Sequence, residues 1–163
     1  MDLYVMRPGA GLSHDIDPAR PLSPMAREQV HKAANTLSRL GTTFEAMACA
    51  PSLRASQTAK IMAGALGFPE RAIASGKALS GTGQVDEAMD FLAALTPART
   101  MLCCAHAPLV EHLASTLIFG GPAGRIRFEP GALAMLEIPE LPTRAAILRW
   151  LLPPAHLRLL ASL

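Results

Sequence analysis

Three short apolar runs, each released into a turn and then a helix-like stretch, constrain this chain more than any other feature. Residues 3–6 (LYVM) lead into Arg7-Pro8-Gly9, residues 44–50 (FEAMACA) into Pro51-Ser52, and residues 100–105 (TMLCCA) into His106-Ala107-Pro108. Each run is too short for a buried helix and is bounded by turn-forming residues, so each reads as a strand. The stretches between them carry helical periodicity. Ser23 is a cap and Pro24 suits the first helical position. From there Ala26, Val30, Ala33, Ala34, Leu37 and Leu40 form one apolar stripe that ends at Gly41.

A second helix is predicted from Pro51-Ser52 to Leu66, stopped by Gly67. A third covers residues 85–95 behind a Gly-Thr-Gly turn, and a fourth covers 108–119 until the run GGPAG breaks it. Residues 68–83 are irregular, with room for one short strand. Residues 131–138 and 146–152 are expected to pair as late strands around the proline-rich IPELP, and the tail 153–163 adds a short helix or none. Strand alternating with helix predicts an α/β fold, a three-layer α/β/α sandwich around a mostly parallel sheet. At 163 residues, with no long linker or repeat, a single domain spanning 1–163 is expected.

Composition narrows the functional classes. Half of the residues are hydrophobic but only 4% are aromatic, so the core must be built from Ala, Leu, Ile, Val and Met. A net charge of +2 gives no electrostatic argument for nucleic-acid binding. No apolar run reaches the roughly 18 residues of a membrane span. Acidic Asp2 and the lack of a basic leader argue against a signal peptide. Cys49, Cys103 and Cys104 lie in strand-like runs without paired spacing. They read as reduced core thiols of a cytoplasmic protein rather than as a disulfide framework or zinc site. No cofactor or metal is implied, because no carboxylate cluster, metal-ligand spacing or dinucleotide fingerprint occurs. The apolar C-terminal third leaves room for a weak homodimer as well as a monomer.

In α/β folds ligands collect beyond the carboxyl ends of the strands. Three such exits carry chemistry: Arg7 after the first strand, Arg54 just inside the second helix, and His106 after the strand at 100–105. Arginine offers a permanently charged planar fork that suits a phosphoryl group. Arg54 adds a helix N-terminus, where the macrodipole favours an anion. His106 can donate a hydrogen bond or move a proton, and Gly9 lets the chain turn close to a ligand. Singly, each has a structural explanation: a solvated arginine, a hydrogen-bonded strand-end histidine, an ion pair. Jointly, at three matching exits, they predict an anion site.

The same residues carry a family resemblance. LYVMRPG resembles the opening of the histidine phosphatase (phosphoglycerate mutase-like) superfamily, whose hallmark is strand-Arg-His-Gly. APSLRASQTAKIMA is similar to its second motif, Ser-Pro-x-x-Arg-Ala-x-x-Thr-Ala, and MLCCAHAPLVEHLA to its third, a strand ending in an essential histidine. The short length, the RPLSPMAREQV entry to the first helix and the AHAPLV turn are most similar to the small SixA-type phosphohistidine phosphatases. The resemblance spans roughly residues 1 to 152. It implies a phosphoglycerate mutase-like fold and a hydrolase that passes the phosphoryl group through the first-motif histidine. It further implies that Arg7, Arg54, His106 and Gly9 form the phosphate pocket, with His106 touching the phosphoryl oxygens. The acid that many larger members carry near residues 76–83 is missing from GKALSGTG.

One departure is decisive for chemistry. Pro8 stands where the resemblance places the nucleophile, and proline has neither a titratable group nor a backbone N–H. It is compatible with a strand end, because it biases the residue before it toward extended geometry. His14, in the following loop, is the nearest substitute histidine; His31, His112 and His156 fall on helices or the tail. Three functions are therefore carried forward. The first is a pseudoenzyme that binds phosphate or a phosphorylated protein or small molecule. The second is an active phosphatase working through His14 or water. The third is an interaction protein with a relic pocket.

Overall fold

The computed structural model describes residues 1–123 and 125–163. Gly124, part of the GGPAG run expected to break the fourth helix, lies outside the described residues. In chain order the elements are β1 (Asp2–Met6), α1 (Pro24–Arg39), β2 (Ala46–Cys49), α2 (Leu53–Leu66), β3 (Ala74–Ser75), α3 (Val85–Ala93), β4 (Thr100–Cys104), α4 (Leu109–Phe119), β5 (Leu133–Glu137), β6 (Ile147–Leu152) and α5 (Pro154–Ala161). Two single 3-10 turns flank β3. The strands form one sheet in the order β3-β2-β4-β1-β5-β6. The pairs β3·β2, β2·β4 and β4·β1 are parallel, and β5 runs antiparallel to both neighbours. This is the mixed α/β sandwich that the alternation of elements predicts.

Side chains alternate across the sheet, so each strand feeds two cores. Tyr4, Met6, Met47 and Leu102 face α1, α2 and α5, where Val30, Leu37, Met62 and Leu157 are buried. Leu3, Val5, Met101 and Cys103 face α3 and α4, where Met89, Leu92, Leu109 and Leu113 are buried. The connections leaving β1 and β4 therefore pass to opposite faces of the sheet. These strands are direct neighbours, with Met6 beside Cys104. Their carboxyl ends define the crevice where α/β folds place ligands.

The differences from the predicted boundaries have local causes. Phe44 lies outside β2; its apolar character serves an edge-to-face contact with Tyr4, ring centroids 5.1 Å apart. The third helix ends at Ala93, and its N-cap Gln84 makes no side-chain capping bond. Ser23 and Ser52 do cap, accepting the N–H groups of Ala26 and Ala55. Residues 154–161 form α5, seated on α1 by buried Leu157 and by the Thr36 hydroxyl, which donates to the Leu157 carbonyl at 3.1 Å. All three cysteines are buried and free. Burial raises each thiol, Cys103 to about 12. Among the described residues no helix is long and apolar enough to cross a membrane.

Candidate functional site

The crevice between β1 and β4 opens into a cleft of about 390 Å³ lined by Arg7, Pro8, Gly9, Arg20, Arg54 and His106, with Gly81, Ala107 and Pro130 at its rim. The structure thus brings every residue singled out at the three strand exits to one concavity. His14 is exposed and is not among the lining residues, and His31, His112 and His156 are likewise elsewhere.

Each wall is held by identifiable bonds. Arg7 donates from Nη1 to the carbonyl of Phe128 at 2.7 Å. Phe128 is fully buried, and its own N–H is held by Glu111 Oε1 at 3.0 Å. The carboxylate at the start of α4 therefore meets Arg7 only through the Phe128 backbone, which it holds by the N–H while Arg7 binds the carbonyl, rather than by direct pairing. Gly131 closes the turn by donating to the carbonyls of Arg7 and Pro8, at 3.1 Å each. Pro8 is buried on the cleft floor, where its missing N–H costs nothing.

Gly9 is explained by packing. An added Cβ would lie 2.8 Å from Leu22 and 3.2 Å from Val30. Its N–H is committed to the buried Thr58 hydroxyl at 3.2 Å, which in turn donates to the Arg54 carbonyl at 2.8 Å. The glycine thus seats the first loop on α1 and α2. Gly81 is equally constrained, since a Cβ there would stand 2.6 Å from the Ala107 carbonyl oxygen beside His106.

Arg20 and Ser52 were not singled out as site residues from the sequence. The loop carrying Arg20 is folded back by a bridge between Gly11 and Leu22 and by the Leu22 N–H bound to Gln57 Oε1 at 2.8 Å. Within it Arg20 holds φ at 50°, uncommon for a residue with a side chain, and its Nε donates to the Leu12 carbonyl. Arg20's own bonds are local, to Leu12 and Asp17, but they lie in an irregular loop without helix or strand periodicity, and the loop's return at Leu22 is tied to Gln57, 35 residues away. Ser52 looks like a helix cap and is one. Its Oγ also lies 2.6 Å from Nε2 of His106.

The electrostatics are one-sided. The cleft is lined by three arginines and no carboxylate. Among the described residues, the ion pairs involve Arg144 and Arg149 instead. Burial, then the charges of Arg20 and Arg7, push the Arg54 pKa down. Burial, then Arg54, Arg7 and Arg20, push His106 down to about 4, so its ring is neutral at neutral pH. Positive charge concentrated in a partly desolvated cleft, at the N-terminus of α2, favours a multiply charged anion.

No family model matches the sequence, and the comparison with curated proteins gave no match. Solved structures do match. The protein histidine phosphatase SixA complexed with tungstate superimposes with a TM-score of 0.83 at 26% identity, covering 96% of this chain and 99% of that one. A SixA phosphohistidine phosphatase from Nakamurella multipartitia gives 0.78 at 24% identity, over 94% and 95% of the two chains. An α-ribazole-5'-phosphate phosphatase from Escherichia coli gives 0.72 at 18% identity, over 94% and 98%. With its three motifs in order along a fold shared over nearly the whole length, the chain has the architecture of the histidine phosphatase superfamily and resembles, within it, the small SixA-type phosphohistidine phosphatases.

Proposed function

We propose that this protein binds a phosphoryl group, free or carried by a protein or small molecule, in the cleft of Arg7, Arg20, Arg54 and His106. We further propose that it is impaired in the family's usual turnover. One observation carries the first statement: three arginines converge where no carboxylate lines the cleft. A dianion there relieves their mutual repulsion and gains charge-assisted hydrogen bonds. The second statement rests on Pro8. By its motif position it replaces the phosphoryl-accepting histidine, and its ring offers no nucleophile. A neighbour of the same fold is complexed with tungstate, an oxyanion of phosphate's shape, which supports an anion-binding reading. His14 is a poor replacement, being exposed and outside the lining.

Thermal unfolding in increasing sulfate or phosphate tests the reading. Saturable stabilisation is expected, following the linkage between ligand concentration and folding. Arg7→Ala should abolish it while the protein remains folded. Stabilisation that never saturates, or that survives Arg7→Ala unchanged, would refute the anion site.

A further inference from the structure

The reading above leaves one contact without a role, the 2.6 Å approach of Ser52 Oγ to His106 Nε2. A serine hydroxyl has one proton to give and two lone pairs to accept with. The Ala55 N–H, at 3.3 Å, takes one lone pair, and the proton is free to point at the imidazole. Ser52 precedes Arg54 by two residues, at the start of the 14-residue helix α2, and is only partly buried. Ser52 is not itself among the cleft-lining residues, but its hydroxyl reaches the imidazole of His106, which lines the cleft together with Arg54.

We propose that Ser52 and His106 form a nucleophile–base pair, and that Ser52 accepts the phosphoryl group of a phosphomonoester held by the arginines of the cleft. The proposal deepens the anion-site reading and rests on it, since the cleft must first hold the ester. As Ser52 Oγ attacks phosphorus, its O–H bond breaks and the proton moves to Nε2 of His106. An Oγ–P bond forms, the P–O bond to the leaving alcohol breaks, and the departing oxygen takes the proton from Nε2. The products are phosphoserine at position 52 and the free alcohol, with no change in oxidation state.

The surroundings favour each part of this step. The reaction needs a neutral ring protonated on Nδ1, and burial with the nearby arginines keeps the ring neutral. An arriving phosphate dianion offsets those arginine charges and makes the ring a stronger base at the moment it is needed. The Ala55 N–H and the positive end of α2 face the charge that develops on Oγ.

The test is incubation with p-nitrophenyl phosphate, followed by acid quench and mass spectrometry, with p-nitrophenol release recorded on the same samples. One phosphoryl group is expected on Ser52, surviving acid as a serine ester does and a phosphohistidine does not. Ser52→Asn keeps a side chain able to cap α2, and should abolish both the adduct and Ser52-dependent p-nitrophenol release. His106→Gln should slow the transfer about a hundredfold. The proposal is overturned if Ser52→Asn leaves adduct and release unchanged, or if the wild type shows neither while sulfate still stabilises it. If sulfate gives no stabilisation, the anion-site reading fails and this inference fails with it.

Discussion

Two clefts meet at Gly81 and treat charge in opposite ways. The arginine cleft gathers Arg7, Arg20 and Arg54 around His106 and offers them no carboxylate. The adjoining cleft, about 490 Å³, carries Gln84, His112, Thr116 and Arg144, and there Asp86 stands 3.3 Å from the Arg144 guanidinium. That pair is exposed on both sides, and such pairs contribute little to stability. Its consequence is electrostatic neutrality, which leaves the second cleft with no demand for an anion. A single charge beside its counter-charge is surface chemistry, whereas three like charges lining one cleft, two of them held by backbone carbonyls, keep an unfavourable energy that a ligand can remove.

The sharpest way to exploit this contrast is to change the floor of the charged cleft. Pro8→His should raise p-nitrophenyl phosphate hydrolysis at least about a hundredfold, the scale of a positioned catalytic group. The gain should persist in combination with Ser52→Asn. A folded variant with no gain would mean that more than position 8 separates this cleft from a working one. Next in size, Arg54→Ala should weaken sulfate binding by about 10- to 100-fold, the range for a charged hydrogen-bond partner. Arg144→Ala, in the neutral cleft, should change it less than about twofold. Calorimetric titration of both variants decides whether the two clefts differ as described.

Gly81→Ala strikes the wall between them. Its Cβ would meet the Ala107 carbonyl at 2.6 Å. A loss of about 1–3 kcal/mol in urea unfolding is expected, as for other overpacked sites.

The remaining effect is in pH. His106 titrates near 4 in the fold and near its ordinary 6.5 once unfolded. Above 6.5 neither state holds the proton, so the residue has no influence there. As pH falls from 6.5 toward 4, the unfolded chain takes up a proton that the fold refuses, and stability declines through that window. Sulfate should blunt the decline by offsetting the arginines, and His106→Gln should remove this component of the profile.

The sheet and the principal walls of the cleft were legible because strand exits are local signals. A run such as LYVM or TMLCC announces a strand, and the residue that follows it must emerge at the sheet's carboxyl end. Arg7, Arg54 and His106 were found that way. Arg20 was not, because it sits within an irregular loop that closes on itself between Gly11 and Leu22 and is anchored at its two ends to Thr58 and Gln57 on a distant helix. Ser52 was read as a cap, correctly, yet capping uses only part of what a hydroxyl can do. Its other partner lies 54 residues away. The anchoring of Arg7 by Phe128 was equally invisible, since 121 residues separate a guanidinium from the peptide carbonyl it binds. Boundary errors followed the same logic. Phe44 is apolar for the sake of an aromatic neighbour, and a pattern of hydrophobicity alone cannot distinguish that from a strand position.

The buried thiols have a further consequence. Cys103 and Cys104 lie on β4, immediately upstream of His106, with neighbours on both sides and thiolates strongly disfavoured by burial. A thiol in that state is chemically silent until its strand leaves the sheet. The rate at which these cysteines become alkylated in the otherwise folded protein therefore clocks the opening of the strand that carries the cleft's histidine, and a slowing of that clock in sulfate measures how firmly an anion ties the central strands together.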